Sequence, residues 1–295
     1  MTAPRPESRQ VLKAIGWSIA FLLTGLALST LLLAGWAAAI AGGDVRLGMS
    51  RLQQPGGLQT IADGSSRLLA FLLTTWAIGV RALGLDWRRL RWAPPAWGAR
   101  GLLGGLALGA TAAAVTLVAA VAVGSAHWSR DSGGPAEYVV QVLKTTAALV
   151  PAALSEEMMF RGVPLVLVAA VAGRATALVL ISALTFSLFH WLNPDVTPLA
   201  LGNIALAGLF LGVAFYAPGG LWTAFGAHLG WNGTLAALDA PVSGLPFRIP
   251  LLDYHPGEPA WLSGGRFGPE GGLVATLALA LAIALTVRWV RKEGA

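Results

Sequence analysis

Cysteine is absent from this sequence of 295 residues, and charged residues make up only 12% of it. The absence of cysteine excludes a disulfide framework, a thiolate nucleophile and a cysteine-based metal site. The charged share is about half that of a typical soluble domain. Since 56% of the residues are hydrophobic, too little polar surface remains for an ordinary soluble protein. Lysine is rare beside arginine, and this bias favours a GC-rich bacterial genome.

Long apolar blocks account for most of the sequence. A bilayer core about 30 Å thick requires roughly 20 helical residues, and most of these blocks approach or exceed that length. We therefore predict an all-α, polytopic membrane protein with about eight transmembrane helices in a single transmembrane domain over residues 1–295. The predicted spans are residues 14–40, 67–85, 101–124, 138–172, 175–191, 198–217, 219–238 and 271–290. The sizeable loops are residues 41–66, 86–100, 125–137 and 239–270.

The first and fourth of these spans are unusually long. The first is too long for the apolar core of a cleaved signal peptide, which is roughly 7–15 residues, so we expect it to be retained as a helix. The fourth is the longest and contains Pro151. Because proline removes a backbone hydrogen bond from a helix, we expect a bend near residues 147–151.

Basic residues indicate the orientation in the membrane. With the N terminus inside, the inner segments hold 12 of the 20 Lys and Arg residues, and the outer segments hold 6. The excess of positive charge inside favours cytoplasmic positions for both termini. The bacterial plasma membrane is the predicted location. Because the basic residues lie in short loops between the spans, they form no patch that could bind nucleic acid. We therefore expect the protein to contact the lipid bilayer and not nucleic acid.

Ionisable or amide side chains lie inside three predicted spans, in three short clusters that each contain two residues four positions apart. Such residues cost at least ~2.5–3.5 kcal/mol each at the centre of a membrane helix, so they serve function or pair internally. The three clusters are Glu156, Glu157 and Arg161; Phe186 and His190; and His228 and Asn232.

The first cluster divides into two roles. Residues four apart share one helix face, so Glu157 and Arg161 are expected to form an ion pair. Glu156 points elsewhere and has no cation nearby in the sequence. A carboxylate in an apolar pocket suits a general base. Each feature also has a structural explanation. A Glu–Arg pair or an amide such as Asn232 can hold two membrane helices together by hydrogen bonds. His190 could be a residue at the membrane interface, and Phe186 could contribute only to packing.

Known hydrolytic motifs are missing. The sequence has no H-E-x-x-H zinc motif and no G-x-S-x-G nucleophile turn. A carboxylate, two imidazoles and an amide remain. These groups could bind Zn²⁺ through Glu156, His190 and His228. They could equally act without metal, with Glu156 deprotonating water while the other groups stabilise an oxyanion.

The three motifs E-E-x-x-x-R, F-x-x-x-H and H-x-x-x-N, in this order, resemble the CPBP family, over residues 138–240 as a catalytic core. That family comprises the type II CAAX prenyl endopeptidases and the bacterial bacteriocin-processing or immunity (Abi) proteins. The resemblance implies an intramembrane endopeptidase of eight helices with a conical cavity. It implies Glu156 as the base that activates water, with His190, His228 and Asn232 completing the site. Glu157, Arg161 and Phe186 are then supporting residues, and the resemblance leaves the use of a metal open.

The expected reaction is hydrolysis near the C terminus of a hydrophobic or membrane-anchored peptide. A non-catalytic scaffold or bacteriocin self-immunity protein of the same fold is the alternative. A transporter with Glu156 and the histidines as a proton relay is a third. The charge count places Arg174 inside and the site nearer the outer face, whereas the resemblance implies a cytoplasmic opening. The sequence leaves this face open.

Overall fold

The computed structural model describes residues 8–53 and 58–293. Arg5, one of the basic residues predicted to lie on the inner side, is outside this range. The described chain is mainly helical, with π-helical turns at Thr75–Ala82 and Leu178–Thr185. The α-helices are α1 (Ser8–Ile40), α2 (Val45–Leu52), α3 (Gln59–Thr74), α4 (Pro95–Ala122), α5 (Pro135–Arg161), α6 (Val163–Ala172), α7 (Arg174–Ala177), α8 (Phe186–Phe189), α9 (Pro198–Phe215), α10 (Leu221–Ala237), α11 (Ala260–Ser263) and α12 (Leu273–Lys292).

Among the described residues, four helices, α1, α4, α9 and α12, are long and apolar enough to cross a membrane. Their length follows from nearly uninterrupted apolar sequence, which supplies about 20 or more residues at 1.5 Å each. The protein is therefore helical and integral to a membrane. The larger number of eight crossings stays a prediction.

The first of the predicted loops contains regular structure. Helix α2 and the first residues of α3 lie within residues 41–66, where a loop was expected. The side chain of Asp44 starts α2 by accepting a hydrogen bond from the backbone N–H of Leu47 at 3.0 Å, as N-cap residues do. The expectation that this whole segment is a loop was wrong.

A small antiparallel sheet joins two other loops. Strands β1 (Ala126–Arg130) and β2 (Leu252–Pro256) pair with Ala126 opposite Pro256 and Arg130 opposite Leu252. These strands fall in segments 125–137 and 239–270, for which no strand was predicted. Five-residue polar strands give too short an alternation to be recognised in a sequence.

The long fourth segment is interrupted at Gly162, and the bend expected near residues 147–151 stays a prediction. Helix α5 continues through Pro151 to Arg161, and the helical conformation is lost at Gly162, where ψ is −123°. Pro164 then stands in the first turn of α6. It has no N–H with which to continue α5, but the first turn of a new helix tolerates proline.

Backbone contacts divide the chain into two compact units. The first comprises the described residues of Met1–Leu90 and Ala147–Ala177, and the second comprises those of Arg91–Thr146 and Leu178–Ala295. In the first unit, α1 packs against α2, α3 and α6. In the second, α4 packs along α10, and α9 packs against α10 and α12.

Glycines allow α4 and α10 to approach closely. Gly105 and Gly109 of α4 and Gly226 and Gly230 of α10 recur at intervals of four, so each pair lies on one helix face. A Cβ atom at any of these positions would collide with a backbone carbonyl oxygen of the facing helix. Small residues at this spacing are a common means of packing membrane helices, because dispersion forces between close backbones replace the hydrophobic effect.

The contact predicts a difference between two glycines of the same helix. Replacing Gly230 with alanine forces its Cβ against the carbonyl of Leu106 and to 2.9 Å from the amide nitrogen of Ala110. We expect a loss of roughly 1–3 kcal/mol, as in other overpacked cores. Gly233 has nothing within 4 Å of a Cβ, so Gly233→Ala should be neutral or stabilising by up to about 1 kcal/mol. Thermal unfolding in detergent measures both, and equal losses would contradict this packing.

Asp239, which follows α10, binds two backbone N–H groups further along the same loop. One carboxylate oxygen accepts the backbone N–H of Ile249 at 2.7 Å, and the other accepts that of Tyr254 at 3.2 Å. Burial raises the pKa of Asp239 above its ordinary value of 3.8, and the nearby Asp253 and Asp131 raise it further, while the two hydrogen bonds oppose the increase. Burial also raises the pKa of Tyr254 to about 12.

Asp239 therefore contributes a stability that depends on pH. Because its pKa is raised on folding, this contribution is fully present below the unfolded pKa and is lost as the pH rises through the folded pKa. We expect the thermal midpoint of the parent, relative to that of Asp239→Asn, to fall as the pH rises above 3.8. Taking the difference between the two proteins cancels the other titrating groups. A difference that grows with pH would show that the hydrogen bonds outweigh burial.

Candidate active site

Glu157 and Arg161 form an ion pair on the last two turns of α5. Nη1 of Arg161 lies 3.2 Å from Oε1 of Glu157, and both side chains are fully buried. The spacing of four residues predicts this contact, because it places the two side chains on one helix face. Arg161 also lies 5.8 Å from the ring centroid of Phe160. The pair is enclosed by protein, which suits a structural role.

Glu156 faces a cation that the sequence analysis did not identify. Its Oε1 lies 3.7 Å from Nη1 of Arg67 on α3, and 18% of its side chain is exposed. Arg67 also binds Asp63 one turn earlier, at 3.0 Å. Glu156 has no cation nearby in the sequence, as predicted, but the fold brings Arg67 to it from another helix. Asp63 and Arg67 have the same spacing as Glu157 and Arg161, but Asp63 falls in a predicted loop, so the spacing gave no signal there.

The imidazole of His190 is oriented by its own segment. His190 follows α8 directly, and its Nδ1 lies 2.8 Å from the carbonyl oxygen of Phe186. In the neutral ring, Nδ1 then carries the proton, and its N–H donates a hydrogen bond to this carbonyl oxygen. Nε2 is left as the hydrogen-bond acceptor. The π-helical turns Leu178–Thr185 precede α8, and such turns are frequent at functional sites.

Phe186 contacts both motif histidines. Its ring centroid is 4.7 Å from that of His190 and 6.1 Å from that of His228, the latter in an edge-to-face arrangement. His228 is buried on α10, with 7% of its surface exposed, and Asn232 follows on the same face one turn later. The second unit thus brings the F-x-x-x-H and H-x-x-x-N motifs together. Glu156, Glu157 and Arg161 belong to the first unit.

The donors that could hold a metal ion are divided between the two units. Glu156 belongs to the first unit, and His190 and His228 belong to the second. Within residues 8–53 and 58–293, no three or more His, Cys, Asp and Glu side chains are grouped as one metal ion would require. A catalytic zinc site needs three protein ligands at about 2.0–2.2 Å, so zinc binding by Glu156, His190 and His228 stays a prediction.

Comparison with known proteins identifies the segment that carries these motifs. Residues 137–234, about a third of the chain, match the family model described as type II CAAX prenyl endopeptidase Rce1-like. The match contains all seven motif residues and confirms the resemblance to that family. No curated protein and no solved structure matches the chain.

The two adjacent glutamates should respond differently to loss of charge. Glu157→Gln leaves the guanidinium of Arg161 buried without its closest carboxylate, and breaking such a pair costs about 3–5 kcal/mol. Glu156→Gln removes a longer contact to an arginine that still binds Asp63, and we expect a loss of about 1 kcal/mol or less. Thermal unfolding of the two variants in the same detergent compares them. Equal destabilisation would contradict the assignment of Glu157 to structure and Glu156 to chemistry.

Proposed function

Because residues 137–234 match the Rce1-like family model, we propose that this protein is an intramembrane endopeptidase. Its substrate is a membrane-associated or hydrophobic peptide, which it cleaves near the C terminus. The observation that carries the proposal is the order of three motifs within the matched segment, two of which meet at Phe186. A helical membrane protein of this family fits such a substrate.

Glu156 is the base in the proposed mechanism. Its ionised carboxylate accepts a proton from water while the water oxygen attacks the carbonyl carbon of the scissile peptide. The carbonyl π electrons move to oxygen and form an oxyanion. The oxyanion then collapses, the C–N bond breaks, and the proton held by Glu156 passes to the departing amine. The family match supports the placement of Glu156 in the same site as the histidines, because all of these residues lie within it.

His190, His228 and Asn232 complete the proposed site. The amide of Asn232 is a hydrogen-bond donor, and His228 lies one turn before it on the same face of α10. Donors fixed in advance stabilise an oxyanion strongly where water is excluded. Nε2 of His190 is the acceptor nitrogen, because Nδ1 is directed at Phe186, so His190 is suited to orient the attacking water.

The proposal includes the membrane arrangement expected from the sequence. Eight helices would enclose a conical cavity within a bacterial plasma membrane, with both termini in the cytoplasm. The four long apolar helices support a membrane location. Water reaching the cavity would supply the nucleophile, and the surrounding hydrocarbon would favour apolar peptides.

Cleavage by purified protein in liposomes tests this function. We expect the parent to cleave members of a library of peptides with hydrophobic C-terminal segments. Glu156→Gln should lower the rate by about 10²–10⁴-fold, and Asn232→Ala by about 10²–10³-fold. Glu137→Gln is the matched control, because Glu137 lies on the same helix but is exposed in its first turn and binds only the N–H of Gly134.

The outcomes separate the proposed function from its alternatives. Parent-like cleavage by a correctly folded Glu156→Gln variant would overturn the assignment of the base. A parent that cleaves no peptide, but protects cells against a bacteriocin with or without Glu156, would indicate the non-catalytic immunity protein instead.

A further inference from the structure

A second buried carboxylate lies outside the segment that matches the family. Glu270 belongs to the short turn Pro269–Gly271 that precedes α12, and only 4% of its surface is exposed. A carboxylate in such surroundings is costly unless hydrogen-bond donors surround it. The identity of those donors therefore indicates what Glu270 holds in place.

Both oxygens of Glu270 are occupied. The indole N–H of Trp231 donates to Oε1 at 2.9 Å. The hydroxyl of Ser243 donates to Oε2 at 3.0 Å, and the backbone N–H of Ser243 donates to the same oxygen. All three donors are neutral, so the contacts of Glu270 are directional hydrogen bonds to two separate parts of the second unit.

One of these donors lies in the H-x-x-x-N motif. Trp231 immediately precedes Asn232 on α10 and follows His228 by three residues. An indole held by its N–H restricts the rotation of α10 about its axis, because Trp231 is attached to the helix between the two motif residues. The bond to Glu270 therefore supports the directions in which His228 and Asn232 point.

The other donor leads to the F-x-x-x-H motif. The carbonyl oxygen of Ser243 accepts a hydrogen bond from the side-chain amide of Asn193 at 2.9 Å. Asn193 in turn donates its backbone N–H to the carbonyl of His190 at 3.1 Å. Ser243 thus holds the turn after His190 on one side and Glu270 on the other.

The turn that carries Glu270 is itself fixed. The side-chain amide of Asn203, which is buried on α9, donates to the carbonyl oxygens of Glu270 at 2.7 Å and of Gly272 at 2.8 Å. Thr276 donates to the oxygen of that amide at 2.6 Å. The position of the carboxylate is thereby determined by α9 and α12.

We propose that Glu270 is a positioning residue that fixes the turn after His190 and the helix bearing His228 and Asn232 in one arrangement, through Ser243 and Trp231. The inference rests on the proposed function. It adds a buried residue that lies well beyond the matched segment. A displacement of reacting groups by about 1 Å can lower a rate by roughly 100-fold, so a shift of α10 is sufficient to impair catalysis.

Glu270→Gln tests the proposal in the full-length protein in liposomes. An amide provides one acceptor oxygen in place of two, so either Trp231 or Ser243 loses its partner. We expect kcat per folded molecule to fall about 10–100-fold, with KM nearly unchanged because the peptide-binding surface is intact. Trp231→Phe removes the indole N–H but keeps an aromatic ring, and it should lower kcat similarly. Where the amide leaves Trp231 unpaired, the double variant should be no slower than the slower single variant, because both substitutions then break the same bond.

Trp128→Phe is the matched control. The indole of Trp128 donates to the carbonyl of Leu238 at 2.7 Å, next to the end of the same helix but away from Glu270. This variant should lose stability while keeping the kcat of the parent per folded molecule. If Glu270→Gln does not fold, Trp231→Phe decides the question alone.

Two results would overturn the positioning role. The first is a parent-like kcat in folded Trp231→Phe or Glu270→Gln. The second is an equal fall of kcat in Trp128→Phe, which would indicate a general loss of packing. A parent that cleaves no peptide would instead remove the proposed function, and this inference with it.

Discussion

A charged or hydrogen-bonding side chain enclosed by apolar groups must find its partners within the protein, because neither hydrocarbon nor packed apolar side chains offer any. Two buried carboxylates, one in each unit, illustrate this constraint. Glu157 and Arg161 are fully buried and bind each other. Glu270 is buried and receives hydrogen bonds from Trp231 and Ser243. In the second unit, these hydrogen bonds lead to both motifs, so they help to orient the elements that carry them.

Sequence reasoning succeeded where partners are close in the chain. The ion pair of Glu157 and Arg161 follows from a spacing of four, and the helical segments follow from the length of the apolar blocks. It failed where partners come from elsewhere. Arg67 reaches Glu156 from another helix, and no local pattern relates the two residues. The strands β1 and β2 are equally non-local, since their pairing joins two loops far apart in the sequence.

Helix α10 is the best supported element of the candidate site. Glycines fit it closely against α4, and Glu270 fixes its rotation through Trp231. Near its C-terminal end, the hydroxyl of Tyr138 donates to the carbonyl of Ala237 at 3.1 Å. Support of this kind is what electrostatic stabilisation requires, because donors that are already in place need no reorganisation when charge develops. The motif letters alone could not reveal it, since Gly230 and Trp231 occupy unspecified positions of H-x-x-x-N and the other supporting contacts lie outside the motif.

The adjacent glutamates differ in their surroundings, and the difference favours Glu156 as the proposed base. A general base must reach water and exchange a proton with it during each turnover. Glu157 is fully buried and bound to the guanidinium of Arg161, so its carboxylate is enclosed by protein. Glu156 is partly exposed, and the arginine that lies 3.7 Å from it, Arg67, is also bound by Asp63. The two residues are chemically identical and adjacent in the sequence, but of the two only Glu156 has a side chain that a water molecule can approach.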